Sequence, residues 1–266
     1  MSIQLSHDAP VLAPAAAAVA SRPPRRADHR YYAWAGAAAF AIVLAGFART
    51  YYLKLFFGTP SLPWLLHLHG ALMTSWFALF FGQTYLVASH RVQLHRRLGV
   101  FGTVLAALIV VVGATVALRF GAREMNTPQV DGPPALASMG FLLAALLAFA
   151  LLVGAALLLR RKREYHKRLM LLSCLFLIGP GLARISFDRV PSLAFLRSGG
   201  PAGLFGLDLL VLYACVAWDT WRYRRLHPAF AAGALLLIAM DLPFIWRFLS
   251  APTWTHFASW LVSLVR

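Results

Sequence analysis

Seven apolar segments, each close to twenty residues long, run through this chain between short polar connections. They fall at 31 to 50, 62 to 89, 98 to 118, 135 to 159, 168 to 187, 203 to 221 and 229 to 249. A hydrocarbon core of about 30 Å is crossed by about 20 residues at helical rise. Strands are excluded, because open edges leave backbone groups unpaired in lipid and the alternating pattern of a barrel is absent. The expected fold is therefore all-α, a polytopic transmembrane bundle of seven helices. A composition of 60% apolar and 13% charged residues fits no ordinary soluble domain.

The net charge of +16 does not point to nucleic acid, since the arginines lie between long apolar runs and not on one face of a soluble module. They report topology. The first 30 residues and the connections near 90 to 97, 160 to 168 and 219 to 227 hold 4, 3, 6 and 3 of the 25 Lys and Arg residues. By the positive-inside rule, these stretches and the N-terminus face the cytoplasm and the C-terminus lies outside. Residues 1 to 30, rich in Ala and Pro, read as a flexible cytoplasmic tail. Residues 31 to 250 form the seven-helix domain, and 251 to 266 a short helix along the outer interface. Pro63 marks a helix start, while Gly179-Pro180-Gly181 and Pro243 predict kinks. Cys174 and Cys215 lie in apolar segments outside any CxxC or CxxCH pattern, which argues against a thiolate metal site and covalently attached haem. Hydrolytic signatures are missing too: there is no nucleophile elbow, phosphate loop or HExxH.

The second segment carries the most informative pattern. Positions seven apart on a helix fall nearly on one line, drifting about 20° per heptad. His69, Trp76, Gln83 and His90 therefore share a face, with Met73, Phe80 and Val87 between them. Polar residues in a membrane segment tend to face a bundle interior, a cavity or a cofactor. Three readings of these histidines stand side by side. They are interfacial residues; or they hold b-type haem, with Gly70, Ala71 and Trp76 as its neighbours; or they bind zinc, copper or iron. The metal reading takes His67 and His69, although a regular helix points two residues so spaced in different directions.

An internal echo supplies further candidates. Arg91-x3-His95-Arg96-Arg97-Leu98 and Lys162-x3-His166-Lys167-Arg168-Leu169 match as [RK]-x3-H-[RK]-R-L, and Arg224-Arg225-Leu226-His227 is a weaker third case. His90, His95, His166 and His227 are thus candidate ligands at the inner face. Helix N-termini there, with Arg96, Arg97, Lys167 and Arg168, favour an anion such as a haem propionate, a phosphate or an acidic lipid headgroup. Toward the outer side, Met139 is a candidate thioether. Arg184, Asp208 and Asp241 are candidates for a charge or proton site, because intramembrane ionisable groups are functional candidates by default.

The stretches FARTYYLKLFFG, HLHGALMTSWFALFFGQTYLV, LHRRLG, EYHKRLMLL and AWDTWRYRRLHPAF resemble a group of bacterial seven-helix integral membrane proteins without assigned activity. That resemblance covers nearly the whole chain after residue 45 and implies the bacterial cytoplasmic membrane. More distantly, His-Arg-x-x-Gly at 95 to 99, with the histidine-bearing helix before it, is similar to bundle-type b cytochromes and to small membrane proteins of haem-copper oxidase assembly. This likeness implies haem b as cofactor and His69, His90, His95 and His166 as its ligands. The chain departs from those families in its outer half, where no second histidine lies at the depth of His67 and His69. Three functions are thus expected to compete: a haem-binding redox or haem-handling protein, a proton-coupled carrier using Asp208, Asp241 and Arg184 at broken helices, and a noncatalytic subunit or assembly factor. Anionic lipid is an expected partner of each, and a membrane protein partner or a second copy of the chain is compatible with all three.

Overall fold

The computed structural model describes residues 26–124, 135–185, 200–241 and 243–264, with the side chains of 26–27, 124, 200–208, 237, 241, 243–244 and 246 left aside. Every regular element among the described residues is helical: α1 (Arg26–Phe47), α2 (Trp64–Ala88), α3 (Val92–Glu124), α4 (Ala135–Leu158), α5 (Arg163–Leu175), α6 (Gly179–Leu182), α7 (Gly200–Tyr223), α8 (Pro228–Asp241), α9 (Pro243–Leu249) and α10 (Pro252–Ser263). A π-helical turn, Ala48–Tyr52, extends α1. Among the described residues, four helices are long and apolar enough to cross a bilayer: α1 with its π turn, α2, α3 and α4. Large apolar side chains on their outward faces, Val100, Phe101, Val111, Leu147 and Leu151 among them, are exposed. On a soluble protein so much exposed apolar surface would drive association. The helices are those of an integral membrane protein by length and composition.

The fifth predicted segment is divided. α5 ends at Leu175 and α6 begins at Gly179, since Pro180 has no N–H for the carbonyl one turn back. The junction of α8 and α9, where the kink at Pro243 was expected, lies at residue 242, outside the described residues. Pro63 caps the start of α2. Residues 26 to 30, expected to belong to the tail, are already helical in α1, whose first turn carries Asp28.

Neighbours in sequence pack as neighbours in space from α1 to α5, and α1 closes the group against α5 and α6; α7 and α8 pack on α5, and α9 and α10 on α4. α5 is the central pillar. Leu171, Leu172, Cys174 and Ile178 are fully covered and join Trp76, Phe77 and Phe149 in one core. α1 and α6 meet at Gly46 and Gly181, where a β-carbon on Gly46 would collide with the Gly181 carbonyl. α10 packs on the α3–α4 pair, and its Trp254 indole donates to the Leu136 carbonyl at 2.8 Å.

Candidate functional site

Five helix ends bring their polar residues to one end of the bundle. His95 and His166 occupy the same place in their helices, the fourth residue of α3 and of α5. The repeated sequence pattern is therefore repeated in structure. The two rings approach edge to face with centroids 6.4 Å apart. His166 Nδ1 lies 2.8 Å from the Ala156 carbonyl, which makes Nδ1 the protonated nitrogen and leaves the Nε2 lone pair open. His95 Nδ1 is buried without a hydrogen-bond partner, and the Gln83 main chain runs beside its ring.

Next to this pair lies a buried ion network. Arg168, 1% exposed, makes a forked contact with Asp219, 2% exposed, through Nη2 at 2.8 Å and Nε at 2.9 Å. Its Nη1 donates to Glu164 at 2.6 Å, and Lys167 reaches the same carboxylate at 2.8 Å. Burial works against the Glu164 charge, but the hydrogen bonds from Lys167 and Arg168 outweigh it and hold that carboxyl below its usual range. Lys167 also donates to the Tyr223 hydroxyl at 3.2 Å, which donates to Asp28 at 2.6 Å. α1, α5 and α7 are thus tied together where they end. The guanidinium of Arg168 further stacks over Tyr223 and Phe230, 4.9 and 5.8 Å from their centroids.

The other predicted site residues fall elsewhere. His90 leaves the α2 face it was expected to share. The helix stops at Ala88, and the His90 and Arg91 N–H groups turn back to the Val87 and Leu86 carbonyls at 3.1 and 2.8 Å. In this Schellman ending His90 takes the left-handed position, φ 61°, and its exposed ring meets His29 edge-on at 6.2 Å. His227 is a cap: its Nδ1 accepts the Ala229 N–H at 3.2 Å at the start of α8. Burial, followed by the Arg168 charge, pushes that imidazole down to about 4. Arg168 and Lys167 are turned to the carboxylates above, so of the four cations assigned to an anion only Arg96 and Arg97 are exposed. Arg97 joins His90, Arg91 and Gln93 around a surface recess of about 430 Å³.

At the far end, His67 is exposed beside Tyr51, whose hydroxyl donates to the His67 carbonyl at 3.1 Å. His69 turns its Nδ1 into the protein without a partner. Among the described residues no three His, Cys, Asp or Glu side chains are grouped to hold a metal ion. Met139 is fully buried and packs among Ala117, Leu136, Ala258 and Val262. Arg184 donates to the Pro180 carbonyl at 2.9 Å and lies 4.6 Å over Phe47. The side chains of Asp208 and Asp241 lie outside the described residues.

Sequence reasoning missed Asp28, Glu164, Asp219 and Tyr223. Glu164 could have been found from its spacing, three and four residues before Lys167 and Arg168. The comparisons add no assignment: no protein-family model, curated protein or solved structure matches the chain.

Proposed function

We propose that this chain is a seven-span protein of a bacterial cytoplasmic membrane, with its N-terminus inside, that holds b-type haem between His95 and His166 and moves electrons or handles haem. The observation that carries this reading is the facing of two imidazoles from separate helices at one depth, 6.4 Å apart. An ion gripped between two imidazoles through bonds of about 2 Å keeps their centroids about 6 Å apart. The donors suit such an ion. The carbonyl at His166 Nδ1 fixes its tautomer as partners of ligating histidines do, and His95 has a buried nitrogen in need of a partner. Haem supplies a one-electron iron couple when bound. Arg96 and Arg97 offer charge for its propionates or for an acidic lipid headgroup at the neighbouring recess.

An absorption spectrum of the detergent-purified protein, as isolated and after haem addition, tests this. A Soret band with sharp reduced α and β bands is expected, lost in His95→Ala and in His166→Ala and kept in His90→Ala. A preparation that stays colourless after haem addition sinks the proposal. The break between α5 and α6 favours a second reading, a carrier whose broken helix forms the site. Transport lost on substituting Asp208 or Asp241 would select it over the haem protein and over a noncatalytic subunit.

A further inference from the structure

Among the described residues, six buried side-chain polar atoms have no hydrogen-bond partner: Tyr32 Oη, His69 Nδ1, Trp76 Nε1, Gln83 Oε1, His95 Nδ1 and Thr220 Oγ1. Three of the six lie on α2 at seven-residue intervals, and seven residues return almost to the same side of a helix. His69, Trp76 and Gln83 therefore form one column, its members about 10 Å apart along the axis and about 21 Å from first to last. That is two-thirds of a hydrocarbon core of about 30 Å.

Buried polar atoms in folded proteins are nearly always paired, with water where the chain itself provides nothing. Trp76 shows how little the chain provides here. Its side chain is 2% exposed, its ring is held edge-on against Phe149 at 5.0 Å, and what lies beside its N–H is the sulfur of Cys174, a weak acceptor. A single ligand headgroup cannot serve three groups spread over about 21 Å, whereas water molecules, each donating and accepting, can.

We propose that the column is hydrated and forms a proton path along α2, from His69 at the far end to Gln83, toward the end where the helix termini are tied. His69 takes a proton at one ring nitrogen and releases one from the other. Trp76 N–H donates to a water and Gln83 Oε1 accepts from one; both orient the chain without changing protonation. Each water accepts one proton and passes one on, so a single charge crosses with no redox step. The column does not need haem: a colourless protein can conduct, and a red one can fail to.

The test uses the full chain, as purified, in phosphatidylcholine and phosphatidylglycerol vesicles with a trapped pH dye and a potassium diffusion potential. Wild-type vesicles should change internal pH at least tenfold faster than protein-free vesicles. Gln83→Leu should return the rate to within twofold of protein-free vesicles. Trp76→Phe keeps the ring against Phe149 and removes only the N–H; it should slow the flux severalfold and decides the matter if Gln83→Leu does not fold. Thr115→Val, on an exposed face of α3, should conduct as wild type. Slowing by either column variant supports the path. Wild-type vesicles no faster than protein-free ones, or column variants that fold and conduct at the wild-type rate, overturn it.

Discussion

The two ends of the bundle treat charge in opposite ways. At one, Arg168, Lys167, Glu164, Asp219, Tyr223 and Asp28 meet each other within hydrogen-bonding reach. At the other, Arg184 leans on a backbone carbonyl and an aromatic ring, and His69 buries a nitrogen with no partner. Desolvation explains why the first end needs mutual pairing: a charge removed from water costs several kcal/mol unless its partners are already in place. A network that satisfies itself stitches helices together. Groups left unsatisfied by the chain are free to bind something else.

The stitching is tested most severely at its most buried pair. Asp219→Ala leaves the buried Arg168 charged with only the more exposed Glu164 carboxylate to offset it, and should lower stability by up to about 3–5 kcal/mol, read from unfolding in detergent. Replacing both partners together, Arg168→Met with Asp219→Leu, should recover most of that loss. Failure to recover would mean that the pair contributes more than mutual neutralisation. Gly46→Ala probes a contact made of backbone instead of charge. A β-carbon there strikes the Gly181 carbonyl, and separating α1 from α6 should cost about 1–3 kcal/mol. An effect that small, beside the larger one at Asp219, would rank the ion network above the helix crossing.

How much of this contrast could be read beforehand depends on the range of the interactions. The four membrane-length apolar helices were legible because membrane thickness sets their length, and the break at residues 176–178 because proline forfeits a backbone bond wherever it stands. His95 and His166 were legible as a pair because their local sequences repeat, and the same local sequence builds the same first helical turns. The Arg168–Asp219 contact spans 51 positions, and no local pattern announces it. Asp28 was hidden in what read as a tail. His90 was misassigned because helical periodicity says nothing about where a helix stops, and the left-handed ending removed it from its stripe.

His227 sharpens the contrast by pH. Its imidazole sits at about 4 in the folded protein, against an ordinary value near 6.5. Above about 6.5 the ring is neutral in both states and the cap on Ala229 is intact. Between about 6.5 and 4 the unfolded chain binds the proton and the folded one resists it, so stability falls as pH falls. Below about 4 this contribution is flat. His227→Asn keeps a capping acceptor and cannot titrate. Its Tm should match wild type at pH 7 and exceed it increasingly toward pH 4, while Glu164, held low by its cations, acts in both proteins alike. Parallel Tm curves would remove His227 from the acid response.

The smallest expected effect concerns the turn that parts His90 from the α2 column. A left-handed position costs a side chain what it does not cost glycine, and His90 holds φ 61° with only the edge of His29 as its aromatic neighbour. His90→Gly should therefore hold stability level or raise it by up to about 1 kcal/mol, as release of strain does where no needed contact is lost. If His90 served the buried pair, the same substitution would weaken haem binding by His95 and His166 and lower stability. Unfolding and haem titration of this one variant thus separate a helix ending from a ligand, and decide whether the histidine cluster at this end is two groups deep or three.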